Sequence, residues 1–149
     1  MLRIIDEELW KNEVSSKPKL RLYVQLKSNK VTEKYVRINL TPSERSFIAQ
    51  LRFGILPLAV ETGRFSRTAL QNRTCPFCPA LIEDELHFLF ACGSYTSIRQ
   101  NFLKDSNLYI PATNLSKLID QMCSECPRKF AKYIKKCFHF RKNSILINS

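Results

Sequence analysis

Four residues with metal-ligand chemistry, Cys75, Cys78, His87 and Cys92, fall within 18 positions at the centre of the sequence. The Cys-x2-Cys pair can turn both sulfurs toward one ion, because the tight turn between them brings them to the same side. An imidazole follows after eight residues and a third thiol after four more, completing a Cys3His set. Zinc takes four tetrahedral thiolate and imidazole ligands of this kind, and four protein ligands close its shell. The expected cofactor is therefore a structural zinc ion, with no open position for catalysis. The plain alternative is buried, unpaired thiols beside a core histidine, since free cysteine packs readily in apolar surroundings. A second group, Cys123, Cys126, Cys137 and His139, has weaker spacing. Cys137 falls on an apolar helical face and His139 lies roughly opposite, so ordinary packing accounts for both. A Cys123–Cys126 disulfide would need an oxidised sample.

The ligands sit in an acidic centre between basic flanks. The chain has 149 residues, with 24 Lys and Arg against 13 Asp and Glu, a formal charge of +11. Residues 1–74 carry net +7, residues 75–94 net −3 and residues 95–149 net +7. Such a surplus suits a polyanion partner. At 44% apolar and 11% aromatic the chain is no disordered polymer. No apolar run approaches the ~18–20 residues of a membrane span. The start, Met1 to Glu8, lacks the apolar core and cleavage site of a secretory signal. A reducing compartment is expected, where paired cysteines more often hold metal than form disulfides.

Positioning these ligands falls to helices. Ile4, Ile5, Leu9 and Trp10 have helical spacing, broken at Ser15-Ser16-Lys17-Pro18; Leu20 to Leu26 suggests a second helix. Tyr35–Leu40 reads equally as helix or strand. Thr41-Pro42-Ser43-Glu44 is a helix start, with a capping residue, a first-turn proline and a capping-box glutamate. Gly54 can end that helix in a left-handed conformation, and Ile55-Leu56-Pro57-Leu58 reads as a buried turn. Glu83-Asp84-Glu85 looks like the first turn of a short helix that carries His87 inward and releases Cys92 at its far end. Further helices are expected over Tyr95–Leu103, around Leu115–Met122, and from Pro127 to about residue 141. The last has an apolar stripe of Phe130, Tyr133, Ile134, Cys137 and Phe138. Its other face carries Arg128, Lys129, Lys132, Lys135, Lys136 and Arg141. The predicted fold is mainly α, a small helical domain around a Cys3His zinc knuckle. Residues 1–40 form a helical lead-in, 41–104 the core helix and knuckle, and 105–149 the basic C-terminal helices, all within one domain.

The run Arg52-Phe53-Gly54-Ile55-Leu56-Pro57-Leu58-Ala59-Val60-Glu61-Thr62-Gly63-Arg64, then Arg73-Thr74-Cys75, the cysteine centre and Tyr95-x3-Arg99 resembles a known family. It is similar to the C-terminal zinc-binding region, of reverse-transcriptase zinc-binding type, of invertebrate non-LTR (LINE-type) retrotransposon proteins. Lys17-Pro18-Lys19-Leu20-Arg21-x-Tyr23, Glu33-Lys34-Tyr35-Val36, Ala131-Lys132-Tyr133-Ile134 and Arg141 extend the resemblance over roughly residues 17–141. It implies a zinc-stabilised accessory module that follows a reverse transcriptase and assists RNA or DNA binding. Cys75, Cys78, His87 and Cys92 match the family's ligand positions. Gly93 stands where the family often has proline. The chain carries no paired-aspartate polymerase motif, so the resemblance implies an excised piece, a decayed copy or a host gene derived from one.

The expected function is nucleic-acid binding, to RNA and/or DNA, with Arg128, Lys129, Lys132, Lys135 and Lys136 as the phosphate-facing ridge. A reverse-transcriptase parent chain is a further expected partner; a membrane and a small-molecule substrate are not. The competing reading is a zinc-stapled protein-interaction domain. No enzyme is expected: neighbouring carboxylates at Glu83-Asp84-Glu85 do not converge on one ion, and His139 lacks a partner. Among the aromatics, Tyr23, Tyr35 and Tyr95 are the candidates for exposed, base-stacking positions. Arg52, Glu61 and Arg64 are expected to act structurally around the knuckle, with Glu61 paired to Arg52 or Arg64 and fixing loops. The resemblance implies a nuclear location.

Overall fold

Where local chemistry favours a helix, one forms. The computed structural model describes residues 2–111 and 113–147, and side chains from Ile4 onward. Seven α-helices follow one another: α1 (Leu2–Ser15), α2 (Arg21–Leu26), α3 (Pro42–Arg52), α4 (Ala59–Phe65), α5 (Thr96–Ser106), α6 (Leu115–Glu125) and α7 (Pro127–Ile147). Among the described residues there is no strand, only one antiparallel bridge between Thr74 and Ile82. No helix among them is long and apolar enough to cross a membrane.

The capping box at α3 is complete. Thr41 Oγ1 accepts the Glu44 backbone N–H at 3.2 Å, and the Glu44 carboxylate accepts the Thr41 N–H at 3.0 Å. Gly54, at φ +66°, ends the helix in the left-handed region, where a side chain is strained. Residues 34–37, ambiguous by pattern, form a short 3₁₀ turn. The segment Glu61–Arg64 lies in helix α4. That helix begins without a side-chain cap of its own: Glu83, distant in sequence, accepts the Ala59 N–H at 2.7 Å. Its other carboxylate oxygen takes the Arg141 guanidinium from α7. Glu83 is fully buried. Arg141 therefore leaves the outer basic face where the helical pattern put it, because a buried carboxylate needs a cationic partner more than the surface needs another charge.

Helix α7 is the spine, packed against α3, α5 and α6. Its stripe, Phe130, Tyr133, Ile134 and Cys137, is buried as its period predicts. Phe102 of α5 stacks on Tyr133 at 4.7 Å between ring centroids, and the Tyr133 hydroxyl donates to the Leu89 carbonyl at 2.6 Å. Arg52, almost wholly buried, reaches Glu33 at 2.7 Å and Asp120 of α6 at 3.0 Å. Glu61 pairs with Arg64 at 3.1 Å. Gly63 has a steric reason: a Cβ there would lie 2.6 Å from Arg73 Cγ. Arg73 lies across α4 and donates to the Val60 and Thr68 carbonyls.

Removing one partner of a buried ion pair costs about 3–5 kcal/mol, because the other charge stays buried alone. Glu83→Ala, which strands Arg141 and uncaps α4, is expected to lower stability by about that amount. Glu83→Gln, which keeps an acceptor for Ala59, is expected to cost less. Urea unfolding of the two variants distinguishes them.

Candidate metal centre

The chain around Cys75 folds into a knuckle by backbone hydrogen bonds alone. The Cys75 N–H donates to the Leu81 carbonyl at 2.9 Å, and the Glu83 N–H returns to the Arg73 carbonyl at 2.9 Å. Within this hairpin, the Cys78 N–H donates to the Cys75 carbonyl at 3.2 Å, a β-turn across Pro76 and Phe77. Proline at the second turn position pre-sets the backbone angle the turn requires.

His87 and Cys92 come from a π-helical turn, His87–Ala91, in which the Cys92 N–H donates to the His87 carbonyl at 2.8 Å. Residues five apart on an α-helix point about 140° away from each other. The wider π turn closes that gap and puts both side chains toward the cysteine hairpin. Asp84 starts the turn by accepting the His87 N–H at 2.8 Å through Oδ1. Of the three acidic residues expected in a helical first turn, only Glu85 is helical. Asp84 caps, Glu83 is committed to Ala59 and Arg141, and Glu85 binds Arg21 at 2.7 Å. Burial pushes the Glu85 carboxyl up, against the opposing pull of Arg21.

The ligand atoms of Cys75, Cys78, His87 and Cys92 lie within 4.8 Å of one another, and the group could hold a metal ion. Cys75 Sγ is 3.8 Å and Cys78 Sγ 3.9 Å from Cys92 Sγ. A disulfide holds its sulfurs at ~2.05 Å, so these are separate thiols gathered around a point. His87 Nε2 is buried and has no hydrogen-bond partner among the described residues. An orphaned imidazole nitrogen beside three gathered thiols fits a metal ligand and fits a packed core poorly, where polar atoms find partners.

The surroundings hold the group in place. Arg99 of α5 donates to the Cys92 carbonyl, fixing the chain just after the last ligand. Phe77, Phe88 and Phe140 pack around Tyr95, with centroids at 5.8, 5.1 and 6.0 Å. Tyr95 is fully buried and Tyr35 nearly so, which corrects the expectation that either is exposed; Tyr23 is half-buried and stacks on Phe53 at 5.0 Å.

The second cysteine group does not gather into a site. Cys123 is buried beside Arg52, Cys137 is buried on α7, and all six cysteines are free thiols. His139 is exposed and bonds Asn143 at 3.1 Å. On α7, Arg128, Lys129, Lys132, Lys135 and Lys136 are all exposed on one side. Arg128 is tied to Glu44 at 3.6 Å and to the Asn39 carbonyl, and Lys129 to the Asp105 carbonyl. Among the described residues, Lys132, Lys135 and Lys136 form no ion pair. No family model, no curated protein and no solved structure matches this chain.

Without an ion, burial pushes the Cys75 thiol up to about 12. A metal takes the thiolate, so binding must expel that proton, and affinity falls as pH falls. Loss of about tenfold or more in apparent metal affinity per pH unit is expected between about pH 8 and 6, read by competition with a chromophoric chelator. Cys78→Ser is expected to lose the metal and Cys137→Ser to keep it, by metal analysis of the purified variants.

Proposed function

We propose that this chain is a zinc-stabilised nucleic-acid-binding module without catalytic activity of its own. Zinc is the metal that three thiolates and one imidazole suit best, and thiolates at ~2.3 Å from a tetrahedral ion lie about 3.8 Å apart, the separation of the sulfurs here. Four protein ligands leave no position for a reacting water, which supports a structural ion.

The observation that carries the binding function is how the charge is distributed. Asp6, Glu7 and Glu13 of α1 pair with Lys30, Lys11 and Lys17, while Glu33, Glu61, Glu83, Glu85 and Asp120 are spent on pairs within the fold. The basic surplus is left facing water, concentrated on α7 at Lys132, Lys135 and Lys136. Like charges crowded on one helix repel, and a polyanion relieves that repulsion. The resemblance to the zinc-binding region of non-LTR reverse transcriptases supports the same reading: an accessory RNA- or DNA-binding piece acting in the nucleus beside a polymerase on a parent chain.

Native mass spectrometry is expected to give one zinc per chain; none or two would contradict the assignment. Binding to RNA or DNA is expected to weaken steeply with salt, and each phosphate contact removed by a lysine-to-alanine change to flatten the salt slope by about 0.7–0.9. Affinity and slope unchanged in the Lys129/Lys132/Lys136 triple alanine variant would reduce the ridge to ordinary surface. Binding of a protein partner with little salt response would favour an interaction domain instead.

A further inference from the structure

Beside the lysine ridge, α7 and the Ile98 side of α5 line a groove of about 660 Å³. Its floor is apolar, made by Ile98 of α5 with Phe140 and Ile147 of α7, and its rim carries Lys132, Lys135 and Lys136. A second hollow of about 450 Å³ shares Ile98, Lys132 and Lys136 and continues the groove to Lys129. Along α7 the stretch from Lys129 to Ile147 measures about 27 Å at the helical rise. No acidic residue lines the larger hollow. The smaller one holds Asp105, whose backbone carbonyl is already bonded to Lys129.

We propose that this groove takes a single-stranded nucleic-acid segment, with phosphates on the lysine rim and unpaired bases on the apolar floor. The proposal rests on the nucleic-acid-binding reading and narrows it. A duplex offers phosphates outward and keeps its bases stacked within, so it would use the lysines and leave the floor in water. Of the two nucleic-acid forms, only a strand with free bases satisfies rim and floor together. The floor has surface to give: Phe140 is 39% and Ile147 83% exposed. Phe140 supplies an aromatic ring, and the exposed His139 on the groove wall a second. Among the described residues the side chains of His139 and Asn143 are bonded to each other at 3.1 Å, a bond they can exchange for base edges. An acidic amphipathic helix would also meet the charge and the apolar floor, and its carboxylates could accept from this imidazole and amide, but it has no flat ring to stack on Phe140 and His139.

The test is fluorescence anisotropy of the zinc-loaded chain with a labelled short oligouridylate and a labelled duplex of the same length, at about 50 and 200 mM salt. The unmodified chain is expected to bind the oligouridylate more tightly than the duplex. Phe140→Leu, which keeps an apolar side chain against Phe77 and Tyr95, should weaken oligouridylate binding by at least about fivefold and leave the duplex unchanged. Ile147→Ala, at a position exposed enough to spare the fold, should weaken it in the same direction. The Lys132/Lys135/Lys136 triple alanine variant should weaken both ligands. Equal binding of the two ligands, or an oligouridylate affinity unmoved by both floor variants, overturns the groove proposal and leaves nucleic-acid binding standing. No binding of either ligand at the lower salt overturns both. Capture of a labelled glutamate- and leucine-rich helical peptide, lost in the floor variants while the oligouridylate fails to bind, overturns them in favour of a protein partner.

Discussion

A single buried carboxylate holds the molecule's parts in relation to one another. Glu83 has no exposed surface, yet it must stay hydrogen-bonded, and its two oxygens reach different elements: the first N–H of α4 and the guanidinium of α7. Its own backbone closes the cysteine hairpin through Arg73 and accepts the Val60 N–H at 3.1 Å. Knuckle, short helix and long helix therefore share one residue. Each contact is ordinary; their convergence in a place without water makes them interdependent.

The metal ligands and this polar junction stabilise the same small region by different means. The thiols and imidazole close a loop of 18 residues that could not bury much apolar surface alone. The aromatic side chains around Tyr95 link that loop to α7, with Phe88 packed on Phe138 at 5.0 Å and Phe77 on Phe140 at 5.9 Å. A structural ion contributes about 10–16 kcal/mol in comparable small motifs, which is the scale of a whole domain's stability. The helices supply orientation, and an ion held by the four ligands would supply closure.

Much of this was legible in the sequence wherever cause and effect lie a few residues apart. The capping box at Thr41, the left-handed Gly54, the apolar stripe of α7 and the Cys-x2-Cys turn each depend on neighbours within one helical turn. The ligand set was equally open to reading, since residue type and spacing carry the chemistry. What escaped were interactions without a local signature. Arg141 pairs with Glu83 across 58 positions and Arg52 with Asp120 across 68. Helical periodicity can say which face Arg141 occupies, but not that a buried acid waits beneath it. Tyr35 and Tyr95, candidates for exposed rings, are buried, because the body of a tyrosine ring is apolar enough to fill a core. The helix α4 carries glycine and threonine, so its formation depends on Glu83 capping it from elsewhere.

The π-helical turn makes the segment between His87 and Cys92 a counting device. Side-chain identities at Phe88, Leu89, Phe90 and Ala91 can drift among apolar types as long as the surrounding packing is filled, whereas their number cannot. One residue fewer would restore a four-residue step with a different bearing, and one more would swing the last thiol away from the hairpin. The eight residues between Cys78 and His87 are counted as well, because the Leu81 N–H donates to the Cys78 carbonyl at 2.9 Å and the Leu81 carbonyl accepts the Cys75 N–H, so the turn through Pro79 and Ala80 has a set length. Over generations, then, insertions and deletions should be purged on both sides of the histidine. The lineage of such a chain would be easier to trace by its spacings than by its letters.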